Sequence, residues 1–368
     1  MRRWITSFYW PLAVGSVLLS FLGIVIIQSA GLHTSAALFE YKRQELYTVL
    51  GIALMLGFSY FDYRIWQRWA PGIYALNLVL LLVILVAGHR ALGAQRWISL
   101  GPLGTFQPSE PAKLFLAISI AAILCRGQYR RLRDLWLPLV AAGIPMLLIL
   151  RQPDLGTMLV ILAILSVQLF FGLPDVRHFA LFLGSVIAAA VFTVGTNFIL
   201  KPFQKARLLV FLNPKLDPQG AGYSLHQAKI AVGNGGWFGR GLHQGTQTQL
   251  NFVPEHSTDF IFTVLGEELG FAGALLLLGL YALIFLGGIR AMLFARDRFG
   301  FLLAAGLVTM FVFHIMVNVG MTVGIMPITG IPLPLVSFGG SSVLTNYAAI
   351  GILLNIYAQK DRTVLGNA

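Results

Sequence analysis

The sequence predicts an all-α integral membrane protein of about ten transmembrane helices. It reads as one polytopic domain over residues 1–368, with a large extracytoplasmic loop at 200–259 between helices 7 and 8. Three observations carry this. First, 57% of the residues are hydrophobic and 11% charged, at a mean hydropathy of +0.79, where soluble domains carry about 25% charged residues. Second, the apolar residues fall in blocks of roughly 20, the length that crosses ~30 Å of hydrocarbon as a helix. Third, strand-period alternation is absent, which argues against an outer-membrane barrel.

The expected spans run roughly over 10–30, 46–61, 71–88, 108–125, 135–150, 155–173, 178–199, 260–286, 300–323 and 341–358. Short ones are expected to tilt or to be shielded by neighbours. The first follows Arg2 and Arg3 as a signal sequence would. It exceeds a typical signal core and further spans follow, so it reads as an uncleaved helix. No internal repeat stands out.

Orientation follows from the basic residues of short loops. With the N-terminus inside, fourteen fall on the cytoplasmic face: Arg2, Arg3, Arg64, Arg68, Arg126, Arg130, Arg131, Arg133, Arg177, Arg290, Arg296, Arg298, Lys360 and Arg362. Six fall outside: Lys42, Arg43, Arg90, Arg96, Lys113 and Arg151. Both termini are therefore expected in the cytoplasm. The 200–259 loop carries six more (Lys201, Lys205, Arg207, Lys215, Lys229 and Arg240), but long loops translocate regardless of charge. A loop of that length on a rigid scaffold is a place for function.

The net charge of +12 is spread over short loops, as anionic lipid surfaces favour, and forms no stripe that would point to nucleic acid. The single cysteine, Cys125, excludes an intramolecular disulfide and reads as a small buried hydrophobe.

Chemistry collects in four segments. In "GAQRWISLGPLGTFQPSEPAKL" (93–114), Glu110 and Lys113 stand three apart at the start of a helix and can pair. They make either a structural salt bridge or the wall of a cavity. In "LRQPDLGT" (150–157), Asp154 suits a helix N-cap. "GMTVGIMPITGIPLPLVSFGGSS" (320–342) is apolar but too rich in Pro and Gly for a regular helix. It is either a hydrophobic outer loop or a re-entrant segment lining a cavity.

The fourth segment, "NFVPEHSTDFIF" (251–262), puts Asp259 on the last polar step before an apolar run. It serves as a first-turn acid or as a functional carboxylate, and Ser257 and Thr258 already supply caps. Glu267 and Glu268 follow within the run. Eight and nine residues along a helix from Asp259 they would lie near the bilayer interior, paired with cations or protonated, and either option implies a polar interior for this span.

The seven histidines are scattered and no metal-ligand spacing occurs, so no cofactor is required, although a divalent cation is compatible. What remains is an outward cavity with one carboxylate, several cations and apolar walls. Such an inventory suits an amphiphile with an anionic head.

These segments, with "FLNPKLDPQGAGYSLHQAKIAVGNGGWFGRGL" (211–242), closely resemble the SEDS family (shape, elongation, division and sporulation), in order and over nearly the whole chain. The short stretch before the first span looks more like the RodA branch than the FtsW branch.

The resemblance implies a peptidoglycan glycosyltransferase of the bacterial cytoplasmic (inner) membrane. It would polymerise lipid II on the outer face for elongation and rod shape, beside a class B penicillin-binding protein. It places the catalytic acid on Asp259. Substrate-binding positions fall on Arg207, Lys113 and Glu110; Arg96 and Glu255, in the same segments as Lys113 and Asp259, are added as candidates from this sequence. Asp259 would act as general base on the acceptor hydroxyl, with Arg207, Lys113 and Arg96 neutralising the leaving diphosphate. Many members read Pro-Glu-x-His-Thr-Asp. Here His256 comes one place earlier, so no role carries over to it. The alternative function is a transporter that flips the lipid-linked precursor.

Overall fold

The structure is a computed structural model. It describes residues 8–360 apart from 31–34, 92–93, 100, 102–103, 128, 130, 197–203, 205–206, 208–209, 212, 214–216 and 219. Arg2, Arg3, Arg130, Lys201, Lys205, Lys215 and Arg362, used above for orientation, lie outside the described residues.

Among those residues ten helices of 16 residues or more occur, one at each expected span. They are α1 (Trp10–Ala30), α2 (Ser35–Tyr60), α3 (Arg64–Ala87), α4 (Ser109–Arg126), α5 (Trp136–Arg151), α6 (Leu155–Gly172), α7 (Val176–Gly195), α10 (Ile261–Leu293), α11 (Arg298–Val323) and α12 (Gly340–Ala358). Eight are long and apolar enough to cross a membrane. The other two, α2 and α4, are more polar, with Glu40, Lys42, Arg43 and Glu45 on α2 and Glu110, Lys113 and Arg126 on α4. The chain is a multi-pass helical membrane protein.

Two shorter helices, α8 (Ala221–Asn234) and α9 (Thr246–Gln249), occupy the 200–259 loop. A small antiparallel sheet joins α3 to α4: β1 (His89–Ala91), β2 (Ala94–Ser99) and β3 (Thr105–Phe106), in that order. Its register sets Ile98 opposite Phe106 and Ser99 opposite Thr105.

The centre of the bundle includes α11 and α12, the most deeply buried of the eight apolar spans. On its partners' side α12 lies along α2, while α11 packs against α6 and α10. Small residues permit these approaches. At Gly51 of α2 an added Cβ would fall 2.3 Å from the Tyr347 ring of α12. By contrast α7 is barely covered, and α6 is its one substantial helix neighbour among the described residues.

One helix differs from expectation. At Gly270, φ is 64° and ψ −158°, so α10 is broken there. Such a conformation is open to glycine alone, and a Cβ would sit 2.3 Å from Gly239 N. The broken turn leaves backbone groups unpaired, and the 236–241 loop supplies their partners. Phe271 N donates to Gly236 O (2.9 Å), Ala272 N to Trp237 O (3.0 Å), and Arg240 N to Glu267 O (3.0 Å).

Beyond the break, Phe271 to Leu293 suffices by itself to cross a bilayer at ~1.5 Å per residue. Glu267 and Glu268 therefore stand on the loop side of the break, which corrects their expected depth in the bilayer interior. Nor do they pair with a cation. Glu267 accepts hydrogen bonds from Gln247 N (2.8 Å), Thr248 N (3.1 Å) and Thr248 Oγ1 (2.7 Å), and so receives the start of α9. Glu268 accepts from Ser29 Oγ of α1 (2.5 Å).

Candidate active site

Asp259 is presented just before α10, and its main chain is pinned by the elements behind it. Asn318 Nδ2 of α11 donates to both Asp259 O and Ile331 O, each at 2.8 Å. Ser337 Oγ donates to Thr258 O (2.6 Å), and Phe338 N to Ser257 O (2.9 Å). The irregular 324–339 segment thus folds against protein, with Gly324 closing α11 in the left-handed conformation. It lines a cavity, as the second of its two readings requires.

That cavity has a volume of about 770 Å³ and is lined by residues from all four segments, Thr157 being the contribution of 150–157. Asp259, Glu255, Arg207, Arg96, Glu110 and Lys113 all face it, so every expected site residue converges on one place. Asp154 does not line it. Instead it caps α6, accepting from Thr157 N at 3.1 Å, and accepts from Ser109 Oγ at 3.1 Å.

The Asp259 side chain makes no hydrogen bond or ion pair among the described residues. Burial, helped by the neighbouring Glu255 charge, pushes its carboxyl up to about 6. The positive charges of Arg207 and Arg96 act in the opposite direction. Glu255 sits at the rim with φ 53°, held by Thr258 Oγ1 (3.0 Å). His256 turns its Nδ1 toward Val253 O at 3.2 Å and does not line the cavity.

Arg207 and Arg96 differ in freedom. Arg96, carried by β2, donates Nε to Gln152 O (3.0 Å) and Nη2 to Pro153 O, with Nη1 3.9 Å from Asp154. Arg207 has no side-chain hydrogen bond or ion pair among the described residues, and burial lowers its pKa. Its charge thus stands ready for a ligand's anion.

Lys113 and Glu110 do pair, at 2.8 Å, and both are almost wholly buried. A third member escaped the sequence reading. Lys113 Nζ also lies 2.8 Å from His314 Nε2, while His314 Nδ1 lies 2.6 Å from Met310 O. A carbonyl only accepts, so Nδ1 carries the hydrogen and Nε2 accepts from the ammonium. His314 and Asn318 stand one turn apart on α11. The only signal for them was two polar residues inside the apolar 300–323 run.

Among the described residues no three His, Cys, Asp or Glu side chains are placed to hold a metal ion. The arrangement offers a raised-pKa carboxylate, an unpaired arginine within reach of the same ligand, and a buried ammonium along the wall. Such a set accepts a proton and steadies an anion.

Residues 10–362 match the model of the FtsW/RodA/SpoVE family, described as "Cell cycle protein". The chain is 38% identical to "Peptidoglycan glycosyltransferase MrdB" of Escherichia coli (strain K12), over 84% of each chain. It is 35% identical to "Peptidoglycan glycosyltransferase RodA" of Treponema pallidum, covering 97% of this chain and 99% of that one. Among solved structures, it superposes on a chain from "Structural coordination of polymerization and crosslinking by a peptidoglycan synthase complex" with a TM-score of 0.83. That match has 31% identity and covers 96% and 99% of the two chains. The Thermus thermophilus rod shape determining protein RodA gives 0.72 at 29% identity, covering 96% and 98%. The chain belongs to the FtsW/RodA/SpoVE family.

Proposed function

We propose that this chain polymerises lipid II into glycan strands at the Asp259 cavity, on the outer face of the bacterial cytoplasmic membrane, with both termini inside. Family membership and the activities named for its relatives make it a peptidoglycan glycosyltransferase.

In that reading Asp259 takes the proton from the 4-hydroxyl of the acceptor's terminal GlcNAc. The oxygen attacks the anomeric carbon of the lipid-linked donor, whose bond to the diphosphate breaks with inversion from α to β. The bonding electrons leave on the polyprenyl diphosphate, and Arg207 faces that charge, supported by Arg96. Lys113, held by Glu110 and His314, adds positive potential along the wall. Preorganised cations act most strongly in such a low-dielectric site.

The observation that carries this is Asp259 itself. A carboxylate with a pKa of about 6 is largely ionised at neutral pH, yet is a stronger base than an ordinary aspartate. No resident cofactor is needed, and a divalent cation could accompany the substrate's diphosphate. A class B penicillin-binding protein is the partner in this reading, supported by the likeness to a chain of a peptidoglycan synthase complex. Elongation is the process it serves, supported by the RodA-named relatives.

The test is reconstitution of the chain and such a partner in liposomes with lipid II. Glycan strands from the native protein and none from folded Asp259→Ala support the proposal. Lipid II moved across the bilayer without polymer would favour a transporter instead.

A further inference from the structure

Two large aromatic side chains stand in the open on the outer loop. In "GNGGWFGRG" (233–241), Trp237 is 71% and Phe238 85% exposed, and neither lines the active cavity. Adjacent rings so far out of the core mark a surface that meets something else.

The loop presents them rigidly. A Cβ at Gly235 would collide with Gly266 O, and one at Gly239 with Glu268 O, so the loop backbone lies directly on α10. The hydrogen bonds across the Gly270 break hold it there, joined by Gly241 N to Glu268 O (3.0 Å). Trp237 meets the ring of Phe271 edge to face, with centroids 5.1 Å apart at 82°.

That contact fixes the depth of the pair. Phe271 opens the membrane-crossing half of α10. Toward its other end Arg290 is exposed and donates to the Tyr9 hydroxyl at 2.9 Å, a charge that belongs at the inner edge of the hydrocarbon. The roughly 20 residues from one to the other, at ~1.5 Å each, span ~30 Å of hydrocarbon. Phe271 therefore stands at the outer edge, and Trp237 with it. Phe271, Leu275 and Leu278 form an exposed apolar stripe at helical spacing, which Trp237 and Phe238 continue upward. Arg240, also exposed, follows two residues on, at the level of the phosphates.

We propose that Trp237 and Phe238 form a wedge that enters the outer leaflet where headgroups meet acyl chains, with Arg240 among the phosphates. The partner is the phospholipid surface. Rings this exposed, beside an arginine and level with the hydrocarbon edge, match the aromatic belt of a bilayer. A surface made for a protein would not require that depth. The wedge follows α8 directly. That helix begins at the active cavity, where Ala221, Tyr223 and Ser224 line the wall, and ends at Asn234. Anchoring its far end fixes the height of that wall above the lipid. The consequence for catalysis rests on the glycosyltransferase reading, whereas the lipid contact does not.

The test uses the full chain in nanodiscs of phosphatidylcholine and phosphatidylglycerol. In a Cys125→Ser background, a spin label at Phe238→Cys is expected to be open to oxygen and closed to a water-soluble nickel chelate. A label at Gln244→Cys is expected to show the reverse. Phospholipids brominated high on the acyl chain should quench native fluorescence more than that of Trp237→Phe. This second measurement needs no label and decides the matter if Phe238→Cys fails to fold. Trp237→Ser with Phe238→Ser removes exposed rings and leaves the core intact. It is expected to raise the mobile fraction of a label at His226→Cys on α8 about tenfold.

A Phe238 label as open to nickel as the Gln244 label would overturn the proposal. So would equal quenching of native protein and Trp237→Phe, or a His226 label indifferent to the double substitution. Shielding that arises only when the proposed transpeptidase partner is added would assign the surface to a protein instead. None of these readings needs turnover, so a chain that makes no polymer counts against the enzymatic reading alone.

Discussion

Asp259 and Arg207 flank Gly330 without closing on each other. A Cβ at that glycine would lie 3.1 Å from Asp259 Oδ2 and 3.6 Å from Arg207 Nη1, yet the two side chains form no ion pair. Gly330 has φ 71°, which suits glycine, and its missing side chain leaves the space between carboxylate and guanidinium open. Had they closed into a salt bridge, Asp259 would be a weak base and Arg207 a spent charge. In the proposed function their separation lets one accept a proton while the other meets an anion.

The first prediction concerns pH. A base must be ionised to act, so rate falls as pH drops through the Asp259 value of about 6. Single-turnover polymerisation should be flat above pH ~7 and lose about tenfold per unit below pH ~5. A profile unchanged down to pH ~4 would contradict this.

Neighbouring charges should move that acid limb in opposite directions. Arg207 lowers the Asp259 pKa and Glu255 raises it. Arg207→Met should therefore shift the limb to higher pH, and Glu255→Gln to lower pH. The same profiles also report Arg207's second role, since only its variant should lose rate on the plateau.

Lys113 should depend on both of its partners. Removing one side of a buried ion pair costs about 3–5 kcal/mol, so Glu110→Gln should lower stability sharply in a detergent melt. His314→Phe strands one ammonium hydrogen, at about 1–3 kcal/mol, while His314→Gln keeps an acceptor and should be milder. The exchange Lys113→Glu with Glu110→Lys should restore stability only in part, because His314 Nε2 would then face a carboxylate.

Glu267 should matter for folding of the outer loop. Four donors at the start of α9 converge on it. Glu267→Leu should destabilise the loop by about 2–4 kcal/mol and speed proteolysis between residues 242 and 250. Unchanged proteolysis would argue that α9 is held by other contacts.

How much of this was legible in the sequence follows from the range of each interaction. The spans were readable because an apolar block crosses a membrane by local composition. Asp154 as a cap and Glu110 with Lys113 were readable because their partners lie three residues away. The start of α2 at Ser35, earlier than the expected 46, was hidden by the charges of Glu40, Lys42, Arg43 and Glu45. The break at Gly270 was hidden because a glycine inside an apolar run shows no sign of its φ. It exists through hydrogen bonds to residues 236–240, outside the helix. His314 lies 201 residues from Lys113 in sequence, and Asn318 59 from Asp259. No local pattern announces either pair, and only the packing of α11 against α4 and the Asp259 turn reveals them.

The most direct measurement replaces the carboxylate without changing its shape. Asp259→Asn, reconstituted with the proposed partner and given lipid II, should polymerise about 100- to 10,000-fold more slowly while binding the lipid-linked substrate as the native protein does. An Asn variant that makes glycan strands at the native rate would show that the proton leaves by another route.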